Sequence, residues 1–306
     1  MVVRVIEVPG ALAASQEKFN GAAGRAFVAG LPRQVAGFLD RWRLRIDGPA
    51  MHGVCALVLP VVRADRLPAV LKLQLPDEES AGEAPALRLW DGAGAVRLLE
   101  HDEPTGTLLL ERLDSARPLT RLPDTREAVL VIAGLLARLT SVPAPAGIRR
   151  LGDIAGALLE RTPSALRRLP GGDDRRLLAD CAAAVREVAG ESGDRLLHWD
   201  LHYDNVLGAD REPWLAIDPK PLAGDPGFEL FPALFNRFEP AEVVPRFEAM
   251  TGALGLDRDR ARAWTLGRVL QNALWDLEDG RPLSPEQLWI GRTLRRQHAA
   301  GPRPRR

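Results

Sequence analysis

The chain is poor in cysteine, tyrosine and histidine and carries almost no lysine. Its two cysteines, Cys55 and Cys181, lie far apart without a CxxC spacing or a neighbouring histidine, which excludes a disulfide scaffold and a structural zinc site and leaves two core thiols. Excess charge of either sign is also missing: 41 basic residues balance 41 acidic ones, the pI is about 7.0, and no basic stripe exists for a phosphate backbone, so nucleic acid is not an expected partner. Long apolar runs are absent too. The longest, AVLVIAGLLA from Ala128 to Ala137, stops at Arg138, well short of the roughly 20 residues that cross a bilayer. The N-terminus MVVRVIEVPGALAASQ lacks the apolar core and cleavage site of a signal peptide, so a cytoplasmic protein without membrane contact is expected.

Lysine is the telling scarcity. Arginine fills nearly every basic position, and only Lys18, Lys72 and Lys220 remain. An arginine-rich codon bias explains the background. A lysine retained against it marks a place that wants a compact point charge rather than a planar fork, although chance survival is the plainer account of any single one.

What is present divides near Leu113. Before it, PRQVAGFLDRW has helical spacing with Pro32 near its start, and WRLRI, GVCALVLPVV, PAVLKLQL, AVRLLEH and TGTLLLERL read as five strands of an antiparallel meander. One helix, with Ala86, Leu87 and Trp90 on its apolar face, is inserted after Asp77-Glu78-Glu79. From Asp114 the pattern turns helical, at about 123–140, 151–168 and 173–190, interrupted by two short strand-like pieces, NVLG and PWLAID. The expected class is α+β in two lobes, residues 1–113 as a nucleotide-binding lobe and 114–306 as a catalytic and acceptor-binding lobe, with a frayed GPRPRR tail.

The densest polar cluster is LLHWDLHYDNVL. His198, Asp200 and Asn205 reproduce the spacing H-x-D-x-x-x-x-N, and Asp218 closes the apolar WLAID run. Phosphoryl transfer needs this set. Charge spread over the moving phosphoryl oxygens calls for a hard cation held by oxygen ligands, here the Asn205 amide and the Asp218 carboxylate, hence Mg2+. Asp200 is the candidate base for the acceptor hydroxyl, a role worth about 10² to 10⁴ in rate. Lys72 in AVLKLQL is the candidate phosphate-gripping lysine. Glu83 is its expected partner if the helix starts near Gly82, because Pro85 is tolerated only in a first turn; Glu79 is the fallback. The glycines of DGPAMHG, Gly48 and Gly53, read by default as a hairpin turn and secondarily as backbone covering phosphates.

The residues HWDLHYDN, WLAIDPK and GDPGFEL, with AVLKLQL and EAPALRLWDGAGAVRLLEHD upstream, resemble the aminoglycoside phosphotransferase family, and within it the streptomycin 6-kinase and hydroxyurea-kinase branch. The resemblance covers about residues 50–240. It implies a two-lobed protein-kinase-like fold using ATP and Mg2+, and phosphate transfer to a hydroxyl of a small antibiotic, for streptomycin the 6-hydroxyl. It also implies adenine at the linker near Glu111 to Leu113, met through backbone groups. Trp199 departs from the wider family, which has a small glycine between the histidine and the aspartate. Lys220 belongs to IDPK with no role assigned. Asp225 is read as a helix cap, and His202 and Asp204 as loop-shaping groups. Glu229, Glu239 and the Asp276–Asp279 run are candidate carboxylates for a guanidinium-bearing acceptor.

Two rival classes are open. If the segment His198–Asp204 were a strand, His198, Asp200, His202 and Asp204 would share one face as ligands of a metal-dependent hydrolase, a reading that leaves Lys72 and Asp218 unused. A non-catalytic pseudokinase would be expected to lack one of the motif residues.

Overall fold

The computed structural model describes residues 6–299, so the extreme N-terminus and the GPRPRR tail lie outside the described residues. The chain forms two compact units. One runs up to Gly92 and includes Val96–Leu113; the other contains Ala93–Ala95 and everything from Asp114 onward.

The first unit opens with α1 (Gly10–Arg41), which kinks at Gly21 (φ 53°, ψ −126°), a conformation that suits glycine. This corrects the sequence reading, which began the helix at Pro32. Leu12 and Gln16 in the first half, then Phe27, Leu31, Val35 and Phe38, form one buried face. That face carries the helix past Pro32, which sits on the exposed side where water can serve the carbonyl it fails to bond.

The sheet follows: β1 (Arg45–Ile46), β2 (Met51–His52), β3 (Ala56–Val62), β4 (Pro68–Gln74), β5 (Leu98–Asp102) and β6 (Thr107–Glu111), in the antiparallel order β1-β3-β4-β6-β5, with β2 also on β3. The five expected runs become six segments because a bulge over 47–50 splits the strand beside β3 in two. Leu57, Leu59 and Val61 of β3 and Leu71 and Leu73 of β4 pack against the buried face of α1. Strand alternation therefore turns Lys72 to the opposite face. Helix α2 (Glu83–Trp90) starts directly after Gly82, which puts Pro85 in its first turn.

In the second unit, β7 (Asp114–Pro118) precedes α3 (Thr125–Leu139), whose first turn is capped by the Asp124 carboxylate accepting the Arg126 and Glu127 N–H groups. Helices α4 (Leu151–Arg168) and α5 (Asp173–Val188) lead to β8 (Arg195–Leu197), β9 (Val206–Gly208), β10 (Trp214–Ala216) and β11 (Leu222–Gly224). After these come α6 (Leu230–Phe235), α7 (Val243–Leu254), α8 (Arg258–Glu278) and α9 (Pro285–Ala299). β10, β9 and β7 form one small sheet, and β11 with β8 another. β7, β8 and β11 are not apparent in the sequence, since stretches of three to five residues are too short for a period of two to stand out. No described helix is long and apolar enough to cross a membrane.

Candidate active site

Within the first unit, the Lys72 ammonium donates to both Glu83 carboxylate oxygens, at 2.7 and 2.8 Å, with only 7% and 2% of the two side chains exposed. Glu79, the fallback, lies in the Asp77–Ser80 turn before the helix, its N–H bound to Asp77. Gln74, two residues along β4 and on the same face, donates its amide to Glu83 Oε2 at 2.8 Å. Period-two spacing from Lys72 was the available clue to Gln74. A buried carboxylate with two donors from one strand holds its helix in fixed register with that strand.

The hairpin between β2 and β3 turns at Gly53-Val54-Cys55, closed by the Gly53 N–H to the Ala56 carbonyl at 3.0 Å. Gly48 belongs instead to the bulge, where a Cβ would come within 3.2 Å of Pro60. At the end of β6 the Glu111 N–H is committed to the Arg97 carbonyl at 3.0 Å, and Leu113 is half-buried at the unit's last residue.

In the second unit the polar cluster is a loop between two strand pairs. β8 delivers it at Leu197 and β9 receives it at Val206. Trp199, Leu201 and Tyr203 are buried, at 4%, 0% and 1% exposure, while Asp200, His202 and Asn205 are partly exposed and Asp204 is exposed. The alternation of apolar and polar residues thus sinks one set into the core and leaves the other at the surface. The segment is not a strand, however. Tyr203–Asn205 is a single 3₁₀ turn, capped by the His202 ring accepting the Asp204 N–H.

His198 is fully buried and cannot act as a surface ligand. Its Nε2 pairs with the Ile217 carbonyl at 3.0 Å and its Nδ1 accepts the Asp200 N–H at 3.4 Å. Burial pushes its pKa down to about 4, so the ring is neutral, and the bonds fix Nε2 as the protonated nitrogen. The described residues contain no group of three or more His, Cys, Asp or Glu able to hold a metal. The hydrolase reading therefore loses both its strand and its first ligand.

Asn205 and Asp218 are drawn together by β9 and β10. Val206 pairs with Ala216, and the Ile217 N–H donates to the Asn205 carbonyl at 2.9 Å. Asp218 follows with φ 56°, a left-handed backbone that turns the chain out of the hairpin. The Asn205 amide donates Nδ2 to the Asp200 carbonyl at 2.9 Å, which assigns its Oδ1 as the remaining acceptor. Lys220 approaches the Asp200 carboxylate at 3.3 Å, and its own N–H donates to the His198 carbonyl at 3.0 Å. That is the neighbour the sequence left without a role.

The support beneath Asp200 was only partly legible. Trp199 has φ 67°, a left-handed conformation rare for a bulky residue. Its N–H donates to both oxygens of Glu229, at 2.9 and 3.0 Å, and the Arg149 and Arg268 guanidinium groups lie over its ring, 4.5 and 5.2 Å from the ring centre. Glu229 is fully buried and its pKa is pushed up to about 7 by that burial, against the pull of the Trp199 N–H and of Arg268. It is a strut of the loop, not a surface carboxylate for an acceptor. Its place in PGFELF, an acid amid apolar residues, was the signal. Asp225 caps the following turn as expected, accepting the Gly227 N–H at 2.7 Å. Tyr203 anchors the far end of the loop through its hydroxyl to the Ala233 carbonyl at 3.2 Å, with Arg237 and Arg246 against its ring.

The family model described as aminoglycoside/hydroxyurea antibiotic resistance kinase matches residues 41–280. A hydroxyurea phosphotransferase of Kitasatospora aureofaciens is 65% identical over 92% of this chain and 84% of its own. A streptomycin 6-kinase of Streptomyces glaucescens is 55% identical over 95% of this chain and 98% of its own. The solved structure of the choline kinase LicA from Streptococcus pneumoniae has the same fold, with a TM-score of 0.57 at 13% identity over 89% of this chain and 99% of its own. The chain, an α+β protein with a kinase-like fold, belongs to the aminoglycoside/hydroxyurea antibiotic resistance kinase family.

Proposed function

We propose that the protein transfers the γ-phosphoryl group of ATP to a hydroxyl of an aminoglycoside, with streptomycin and its 6-hydroxyl as the first candidate. In this reading the acceptor hydroxyl gives its proton to the Asp200 carboxylate as its oxygen bonds phosphorus, the bond from phosphorus to the β,γ-bridging oxygen breaks, and ADP leaves. The supporting observation is the loop itself: a partly exposed Asp200 with Lys220 at 3.3 Å, on a backbone fastened from both ends by buried groups.

The donor set fits a magnesium ion, which takes one or two carboxylates plus phosphate oxygens rather than a cage of acids. Asp218 and the Oδ1 of Asn205 would hold it, and it would neutralise charge on the phosphate oxygens. Lys72, fixed by Glu83, is assigned to the nucleotide phosphates. The linker from Glu111 to Leu113 is assigned to the adenine; with the Glu111 N–H already used by Arg97, Leu113 is the better donor of the two. Cellular ATP as phosphoryl source makes the cytoplasm the working compartment.

Hydroxyurea is the second acceptor reading, favoured by the name of the 65% identical relative. ADP release by the purified protein with streptomycin, other aminoglycosides and hydroxyurea separates the two. Streptomycin should raise the rate well above the ATP-only background, and Asp200→Asn should lower it by about 10² to 10⁴. A rate with hydroxyurea alone would move the acceptor and keep the kinase; no acceptor-dependent rate at all would remove both.

A further inference from the structure

Gln16 is a wholly buried amide on α1, at 0% exposure, in a core otherwise built from Leu12, Phe27, Leu31 and Leu57. Its Nε2 donates to the Cys55 carbonyl at 2.6 Å, across 39 residues of sequence. Its Oε1 accepts the Asn20 amide at 2.8 Å. The acceptor-only carbonyl fixes which end of the amide faces Cys55, and Asn20 holds the other end. Gly24 packs against the backbone of the same residue: a Cβ there would stand 2.1 Å from the Gln16 main-chain carbonyl oxygen. The kink at Gly21 thus brings the second half of the helix against the Gln16 backbone.

Cys55 is the last residue of the β2–β3 hairpin turn. Within the turn the Gly53 N–H donates to the Ala56 carbonyl and the His52 ring pairs with the Gly53 carbonyl; Val54 at its tip is 68% exposed, and Gly53 is its one glycine. Backbone N–H groups of a hairpin tip meet phosphate oxygens only if they are held in place, and displacement by about 1 Å is enough to lose the benefit. To the turn's own bonds the Asn20–Gln16–Cys55 chain adds a fastening from the helix behind the sheet.

We propose that Gln16 is a positioning residue for nucleotide binding, holding the His52–Ala56 hairpin in the conformation that covers the ATP phosphates. The inference rests on the ATP reading above and adds to it a residue outside the motifs.

The two cysteines provide the test. Cys181 is fully buried, which pushes its thiol up to about 12, so a disulfide reagent such as DTNB reads the half-buried Cys55. In the full-length parent, ATP should slow labelling of Cys55. In Gln16→Leu, KM for ATP should rise about tenfold with kcat and the acceptor KM within about twofold, labelling without ATP should quicken, and protection should need proportionately more ATP. Asn20→Ala, which loosens the same amide without emptying the core, should move the same quantities by a smaller factor and serves if Gln16→Leu fails to fold. No ATP protection in the parent would mean that the hairpin does not cover the nucleotide, and the inference would fall with that reading. Protection in the parent, with an unchanged KM for ATP in a folded variant or with equal losses toward both substrates, would overturn the inference alone.

Discussion

Both carboxylate oxygens of Glu229 accept the backbone N–H of Trp199, at 2.9 and 3.0 Å. Burial raises the Glu229 pKa to about 7 from an ordinary 4.5. A pKa higher in the folded than in the unfolded chain stabilises most below the unfolded value, and that contribution is lost as pH rises through 7. The span of about 2.5 units corresponds to a loss on the order of 3 kcal/mol. Glu229→Gln removes the titration. Its melting temperature should therefore gain on the parent by several degrees between pH 5 and pH 8; a constant difference across that range would show that Glu229 does not titrate there.

Trp199 sits at a backbone angle that glycine would adopt without strain, and relieving the strain is worth about 1–3 kcal/mol. The buried indole, gripped by Arg149 and Arg268, is worth about 3–5 kcal/mol on truncation. Packing wins. Trp199→Gly should lower the unfolding free energy by about 2 kcal/mol and reduce kcat more than KM for ATP, because the residue next to Asp200 loses its fixed direction. Denaturant unfolding together with steady-state rates tests this; equal or greater stability in the variant would reverse the ranking.

These two residues also mark how far the sequence could be read. The spacing of His198, Asp200 and Asn205, and the helices over 151–168 and 173–188, are local patterns and were legible as such. The roles of Glu229 and Arg268 depend on long-range packing: Glu229 lies 30 residues beyond Trp199, and nothing local says which acid in the chain is buried. The N-terminal helix was misjudged for a related reason. Pro32 is a local stop signal, but the buried face shared with the sheet overrides it.

Lys72 and Glu83 form the most enclosed ion pair described, and enclosure makes their individual loss costly. Glu83→Gln takes the bidentate carboxylate away from an ammonium with 7% exposure, a change worth about 3–5 kcal/mol. Lys72→Met with Glu83→Leu removes both charges and should recover most of that stability. Activity should not recover with it, because the cation assigned to the phosphates is gone. Thermal melting and ADP release on both variants check this prediction, and a double variant that is stable and active would detach Lys72 from catalysis.

Lys220 offers the opposite case, a pair whose expected value lies in the proposed reaction rather than in folding. Its side chain is 40% exposed and that of Asp200 is 29% exposed, and a solvent-exposed ion pair contributes only about 0–1 kcal/mol to folding. A cation beside the proposed proton acceptor, Asp200, would do more for the reaction. In the proposed reaction it would hold the carboxylate in one orientation and offset negative charge spreading over the phosphoryl oxygens. Lys220→Met should therefore lower kcat by about 10- to 100-fold while the melting temperature moves by no more than about 2 °C. Lys220→Arg should recover only part of the rate, because a planar guanidinium anchored at the same backbone position cannot reproduce a point charge 3.3 Å from one Asp200 oxygen. Steady-state kinetics and melting curves on the two variants decide it: a Met variant with the parent's kcat would reduce the Asp200–Lys220 contact to a surface ion pair.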